Sequence, residues 1–218
     1  MTWDGAFALS IIPQLLRGLL VTIQVTLIGI VIALVVGLVV AIIRFSEIPV
    51  LSQLFGFYVQ FVRGTPLLIQ AYFAFFALPA YGITFDALTT GIVVIGINYS
   101  AYTAEVYRAG VEDVDPGQWE AATALSLPIT RTWLRIILPQ AIRSVVPILG
   151  NYLVQMFKDS AVLFTITIYE LMGRAQAIGS STYRYLEPIT IAGAMYLIVS
   201  VIASQLIRLL ERRLARTD

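Results

Sequence analysis

A chain of 218 residues that is 59% hydrophobic, only 12% charged and has a mean hydropathy of +0.87 cannot cover itself as a soluble domain does, with about 25% charged residues. Its 14 basic and 13 acidic residues nearly cancel, so no polybasic face addresses nucleic acid or an anionic lipid surface. The lack of Cys and His excludes disulfides, iron–sulfur clusters and thiolate zinc sites and removes the commonest general base, so the expectation is no metal, no cofactor and no enzyme chemistry.

Such a chain belongs in a bilayer, which an apolar helix of about 20 residues crosses. The start, Met1 to Gly5, lacks the positive region of a secretory signal, and the whole chain is read as mature protein. The first apolar stretch lies between Arg17 and Arg44, broken only by Gly18, Gly29 and Gly37. A second runs from Leu54 to Leu78 but holds Arg63, followed at once by Gly64-Thr65-Pro66. The third, Ala87 to Val106, ends at Glu105 and Arg108, which stand at i and i+3 and predict a local ion pair. The fourth, Ser144 to Phe157 with a possible start near Leu138, ends at Lys158-Asp159, and the fifth, Pro188 to Ile207, leads into an arginine-rich tail. The expected fold is therefore all-α and polytopic, a single domain over residues 1–218 with five transmembrane helices and its termini on opposite sides.

Loop arginines orient the chain. With the N-terminus outside, Arg44, Arg108, Arg131, Arg135, Arg143, Arg208, Arg212, Arg213 and Arg216 fall inside, against Arg17, Lys158, Arg174 and Arg184 outside. The inner segment, residues 109–143, reads as a helical hairpin. Asp115-Pro116-Gly117-Gln118 sets a cap, a first-turn proline and a capping-box glutamine, starting a helix that runs to about Leu127, where Pro128 stops it. Thr130 is then placed to cap a second helix through Trp133 to Leu138. On the outer side, Ile166 to Ile178 predicts a short amphipathic surface helix.

No energy source is built in. Lys158 follows Met156-Phe157 rather than the glycine of a phosphate-binding loop, and the spans carry almost none of the buried Asp, Glu or His that proton-coupled carriers use. A pump built on this chain needs a partner. Glu120-Ala121-Ala122 with Ala124-Leu125, then Ile136-Ile137-Leu138-Pro139-Gln140-Ala141, resembles the EAA motif of ABC importer permeases, departing from it at Ser126, where that family usually has glycine. Arg63-Gly64-Thr65-Pro66-Leu67, Tyr99 to Gly110 and Lys158-Asp159-Ser160 resemble the polar amino-acid uptake branch. Trp3-Asp4, Gly150-Asn151-Tyr152 and Glu187-Pro188 are most similar to the permease for ectoine and hydroxyectoine uptake.

The resemblance implies a permease subunit in a bacterial inner membrane. It also implies ATP-hydrolysing subunits docked on the hairpin through Glu120, Ala121, Ala122, Ser126 and Pro139, a second permease chain, similar or identical, and an external solute-binding protein. The solute would be a small zwitterion, a polar amino acid or ectoine. The alternative is a channel or secondary carrier without an ATPase. Lys158 and Asp159 would offer both signs of charge to a zwitterion, with Tyr152 supplying an aromatic face; their other reading is an interfacial anchor. Tyr152, six residues before Lys158, lies about 120° away around the helix. Arg63 either lines the pathway or snorkels and pins carbonyls freed by Pro66.

Overall fold

The computed structural model describes residues 2–46 and 48–214; Met1 and Arg216, used above, lie outside them. The first helix, α1, spans Gly5–Phe45 and is 41 residues long, starting well before Arg17, because the Asp4 side chain accepts from the Ala6 and Phe7 N–H groups at 3.0 and 3.1 Å. At 1.5 Å per residue this rod is about 60 Å long, roughly twice the hydrocarbon thickness of a bilayer. The charge-free stretch marked its apolar part, not its ends.

The second stretch is two helices joined at a break. α2, Pro49–Gly64, stops at Thr65-Pro66, and α3, Leu67–Tyr72, continues through a π turn at Phe73–Ala77 and a 3₁₀ turn at Leu78–Tyr81. The halves are bent by 104°. Proline supplies no N–H and disfavours the helical conformation of the residue before it, so the chain turns there.

α4, Ala87–Glu112, is the central helix, capped by Asp86 and packed along α1. Protein rather than lipid surrounds much of it, which is why it carries buried Thr90, Asn98, Ser100 and Thr103. Thr103 donates to the Ala33 carbonyl at 2.7 Å, and Ser100 meets the Tyr58 hydroxyl at 2.6 Å. By length and apolarity alone, three helices of the described residues can cross a membrane, four if the bent pair counts as one span.

α5, Pro116–Ala124, opens the hairpin with the Asp115 carboxylate accepting from the Gly117 N–H at 2.7 Å. Gln118 does not close a capping box; its side chain meets Gln140 at 3.5 Å. Past the turn, α6, Ile129–Thr132, begins at Pro128 rather than on a Thr130 cap, passes through a π turn at Trp133–Ile137 and enters α7, Leu138–Asp159. The hairpin's second arm and the fourth apolar stretch are thus one continuous rod. A 3₁₀ turn, Ser160–Ile166, leads to α8, Leu171–Thr182, and then α9, Leu186–Leu214. α8 is not a surface helix: Leu171 and Ala175 are fully buried between α1 and α9. Its N-cap is a buried carboxylate that the sequence did not announce. Glu170 accepts from the Met172 and Gly173 N–H groups, Thr22 and Tyr196, which satisfies both of its buried oxygens in place.

Glycine lets α1 and α4 approach closely. A Cβ at Gly37 would stand 2.0 Å from Thr103 Oγ1 and 2.8 Å from the Ser100 carbonyl oxygen. Gly37→Ala is expected to destabilise the folded protein by about 1–3 kcal/mol, the usual cost of overpacking. Thermal unfolding in detergent checks this, with Gly5→Ala, where no atom stands within 4 Å, as the unaffected control.

Candidate translocation cavity and coupling face

Two elements and the helix break enclose a cavity of about 590 Å³, within the range of small-molecule sites. α4 contributes Asn98, Tyr99 and Tyr102; α7 contributes Tyr152, Gln155 and Asp159; the break contributes Arg63 through Leu67. The α7 residues stand at i, i+3 and i+7, so they share one helix face. Lys158 is exposed and does not line this cavity; it stands one residue off that face. Of the four pathway candidates the structure therefore brings Arg63, Tyr152 and Asp159 together.

The cavity's polar groups are organised. The Tyr99 hydroxyl donates to Asp159 Oδ2 at 2.6 Å. The rings of Tyr99, Tyr102 and Tyr152 lie 5.9 to 6.0 Å apart, with Tyr152 edge-on to both of the others. The Arg63 guanidinium sits 5.3 Å from the centre of the Tyr102 ring. Arg63 makes none of the hydrogen bonds that pin the carbonyls at the break; Gln70 does, reaching the Val62 and Thr65 oxygens at 2.8 and 3.1 Å. A fixed cation, a carboxylate and three electron-rich rings can hold a small solute bearing both signs of charge. Tyr99, Tyr102, Asn98 and Gln155 escaped the sequence reading, although the seven-residue spacing from Tyr152 to Asp159 was available to it.

At the far end of α1 lies the hairpin. Trp133 packs edge-on against Trp119 at 5.2 Å and Phe45 at 6.5 Å, above a buried cluster of Val114, Ile137 and Ala141. Glu120, Ala121, Ser126 and Pro139 are exposed, whereas Ala122 is buried and offers no docking surface. Leu125, Ile129 and Leu134 are exposed too, giving the hairpin an apolar surface. Ser126 has φ 51°, and α5 ends in the paired bonds Leu127 N–H to Ala122 O and Ser126 N–H to Thr123 O. Glycine adopts this left-handed turn without strain; serine pays about 1 kcal/mol for it. Nearby, Arg44 and Arg108 both pair with Glu105, the latter at 2.9 Å, so the predicted Glu105–Arg108 pair is part of a link between α1 and α4.

At the opposite end, Arg184 bridges Asp4 at 3.1 Å and Glu187 at 3.0 Å and covers the Phe7 ring at 4.4 Å, while the Asp4 N–H donates to Glu187. The Phe7 N–H and the Arg184 guanidinium hold the Asp4 carboxyl below the usual carboxylate range. Of the residues Trp3-Asp4 and Glu187-Pro188, which carried part of the narrower resemblance, Asp4 and Glu187 belong to this clamp, and none of the four lines the cavity.

A bundle of long apolar helices around a polar cavity, with a capped hairpin at one end, defines a polytopic membrane protein built for solute passage. Over residues 29–216 the chain matches the family described as binding-protein-dependent transport system inner membrane component, and it belongs to that family. It is a multi-pass inner-membrane permease component and not itself an enzyme. It is 44% identical to a probable amino-acid ABC transporter permease of Sinorhizobium fredii, over 99% of this chain and 95% of that one. It is 33% identical, over the whole of both chains, to the arginine transport system permease protein ArtQ of Bacillus subtilis. A putative glutamine transport system permease of Rickettsia typhi is 36% identical over 92% of each chain. A crystal structure of an amino acid ABC transporter with histidines superimposes with a TM-score of 0.94 at 37% identity, covering 98% of this chain and 100% of that one. The inward-facing MetNI methionine ABC transporter, at 20% identity, shares the fold with a TM-score of 0.76 over 95% of this chain and 99% of that one.

Proposed function

We propose that this chain is the permease subunit of an ATP-driven importer for a small net-neutral amino acid or a related zwitterion such as ectoine or hydroxyectoine. The observation that carries the solute class is the pairing of one cation, Arg63, with one carboxylate, Asp159, on a cavity walled by three tyrosines. In this reading Arg63 takes the solute carboxylate, while Asp159 and the rings of Tyr99, Tyr102 and Tyr152 take its cationic end. Lys158, off the cavity wall, serves as an interfacial anchor.

The bilayer is crossed by α1, by the bent pair α2 and α3, by protein-covered α4, by α7 and by α9, with the N-terminus outside and the hairpin in the cytoplasm. Loop arginines support that orientation. ATP-hydrolysing subunits dock on the hairpin, a second permease chain closes the pathway beside the cavity, and an external binding protein delivers solute, as the family description and the named relatives support.

The relatives carry names for both a cationic and a neutral amino acid. A second full cation in the solute would need a second carboxylate when desolvated, and Asp159 is the acidic residue on the cavity wall. Uptake into proteoliposomes by the complete transporter is therefore expected to be competed by glutamine or ectoine far better than by arginine or lysine. Stronger competition by arginine or lysine overturns the net-neutral assignment.

A further inference from the structure

Pro66 leaves a defect in the membrane that the helices alone do not repair. The Val62 carbonyl stands four residues before it, so the N–H that would bond this oxygen in a continuous helix does not exist. The Gln70 side chain supplies the donor. Its Nε2 lies 2.8 Å from the Val62 oxygen, 3.1 Å from the Thr65 oxygen and 2.7 Å from Thr65 Oγ1. Thr65 Oγ1 donates in turn to the Phe61 carbonyl at 3.0 Å. The other end of the same amide, Gln70 Oε1, accepts from Asn98 Nδ2 at 3.1 Å, and Asn98 is a buried residue of α4 on the cavity wall. One glutamine thus spans the break from its C-terminal side and fastens it to the central helix. Arg63 is the residue directly after Val62, the residue whose carbonyl is held.

We propose that Gln70 is a positioning residue for solute binding: it brackets the broken helix to α4 so that the Arg63 guanidinium stays over Tyr102 and faces the cavity. The proposal rests on the reading of Arg63 as the partner of the solute carboxylate. The chemistry selects glutamine closely. Glutamate has no donor for the two carbonyls, leucine has neither donor nor acceptor, and asparagine is one methylene too short to reach across the turn. Without the bracket the α2 end is released, and the flexible arginine swings toward the aqueous edge, where its charge is solvated more cheaply.

The test uses the full permease–ATPase complex in lipid nanodiscs and equilibrium binding of glutamine as the probe. Gln70→Leu and Gln70→Glu are each expected to raise Kd about 10- to 100-fold, the scale of loss that misplacing a binding group by about an ångström produces. Arg63→Gln is expected to do the same, and the double variant Arg63→Gln with Gln70→Leu to bind no worse than Arg63→Gln alone, because both act through one guanidinium. Losses that multiply in the double variant overturn the positioning role, as does a Gln70 series that lowers thermal stability while Kd per folded complex stays at the native value. A raised Kd for Arg63→Gln beside a native Kd for both Gln70 variants rejects the bracket and leaves the cavity reading standing. A native Kd for Arg63→Gln, or no saturable binding by the native complex, rejects that reading of the cavity and the bracket with it.

Discussion

Asp159→Asn is expected to cut solute uptake by about 30-fold or more while the assembled complex is recovered in normal yield. Asparagine keeps the size of the side chain and an oxygen that can still accept from the Tyr99 hydroxyl, now 2.6 Å from Asp159. What is lost is the charge that meets the cationic end of the solute in a partly desolvated cavity. Removing one partner of such a pair costs about 2–5 kcal/mol, or about 30- to several thousand-fold. Lys158→Gln is the matched control: the next residue along α7, exposed and off the cavity wall, it should change uptake by less than about two-fold. Uptake normalised to complex yield in proteoliposomes decides the matter. Native uptake by Asp159→Asn removes the carboxylate from the pathway, and a large loss with Lys158→Gln would return the role to the lysine.

That pair of variants also marks how far the sequence was legible. The adjacency of Lys158 and Asp159 was visible, and so was Tyr152, but helix geometry chooses between the two charges only when the separation is taken as seven residues rather than six. Tyr99 and Tyr102 were hidden for a different reason. Their helix was read as a span, Ala87 to Val106, but an apolar stretch does not say which of its polar residues face α7 and the helix break. The break at Pro66 was evident from Gly64-Thr65-Pro66, yet its 104° bend and its repair by Gln70 depend on contacts across five and eight residues and onto α4. Likewise the hairpin's first arm announced itself through Asp115-Pro116, whereas the fusion of its second arm with α7 could not be read from Pro128 and Pro139. Proline is tolerated at the first turn of a helix, and here the chain leaves the π turn at Ile137 and runs through Pro139, in the first turn of α7, without stopping.

The long α1 sets the mechanical problem that any coupling must solve. Its N-terminal half is tied to α8 and α9 through Asp4, Arg184 and Glu187 at the end and through Thr22 and buried Glu170 further along, and its C-terminal end to α4 through Arg44 and Glu105. Close contact at Gly37 keeps α1 and α4 together between those ends. α7 carries Asp159 at one end and is continuous with the hairpin arm at the other, through Ile129–Ile166. The hairpin and the cavity thus lie at the two ends of one helical rod, and α7 joins them covalently without a loop between them.

Leu125→Asp is accordingly expected to abolish coupling while sparing the cavity. Leu125 is 71% exposed at the end of α5, beside the strained Ser126 turn, with exposed Ile129 and Leu134 on the following arm. An apolar tip of this kind fits a groove on a soluble ATP-hydrolysing subunit, and a carboxylate buried there without a partner is costly. A central apolar contact of an interface is worth about 2 kcal/mol or more, so solute-stimulated ATP hydrolysis and uptake should fall together by about 30-fold or more. Glu120→Ala, which removes an exposed charge from the same helix, should lower both in parallel by a smaller factor, up to about five-fold for a rim interaction of up to about 1 kcal/mol. Glutamine binding to the permease in nanodiscs should keep its native Kd in both variants, because the cavity lies at the other end of α7. Co-purification of the ATP-hydrolysing subunit gives the direct measure: native recovery and native stimulated hydrolysis with Leu125→Asp would place the docking surface elsewhere on the molecule, and a lost Kd would mean that the hairpin shapes the cavity itself.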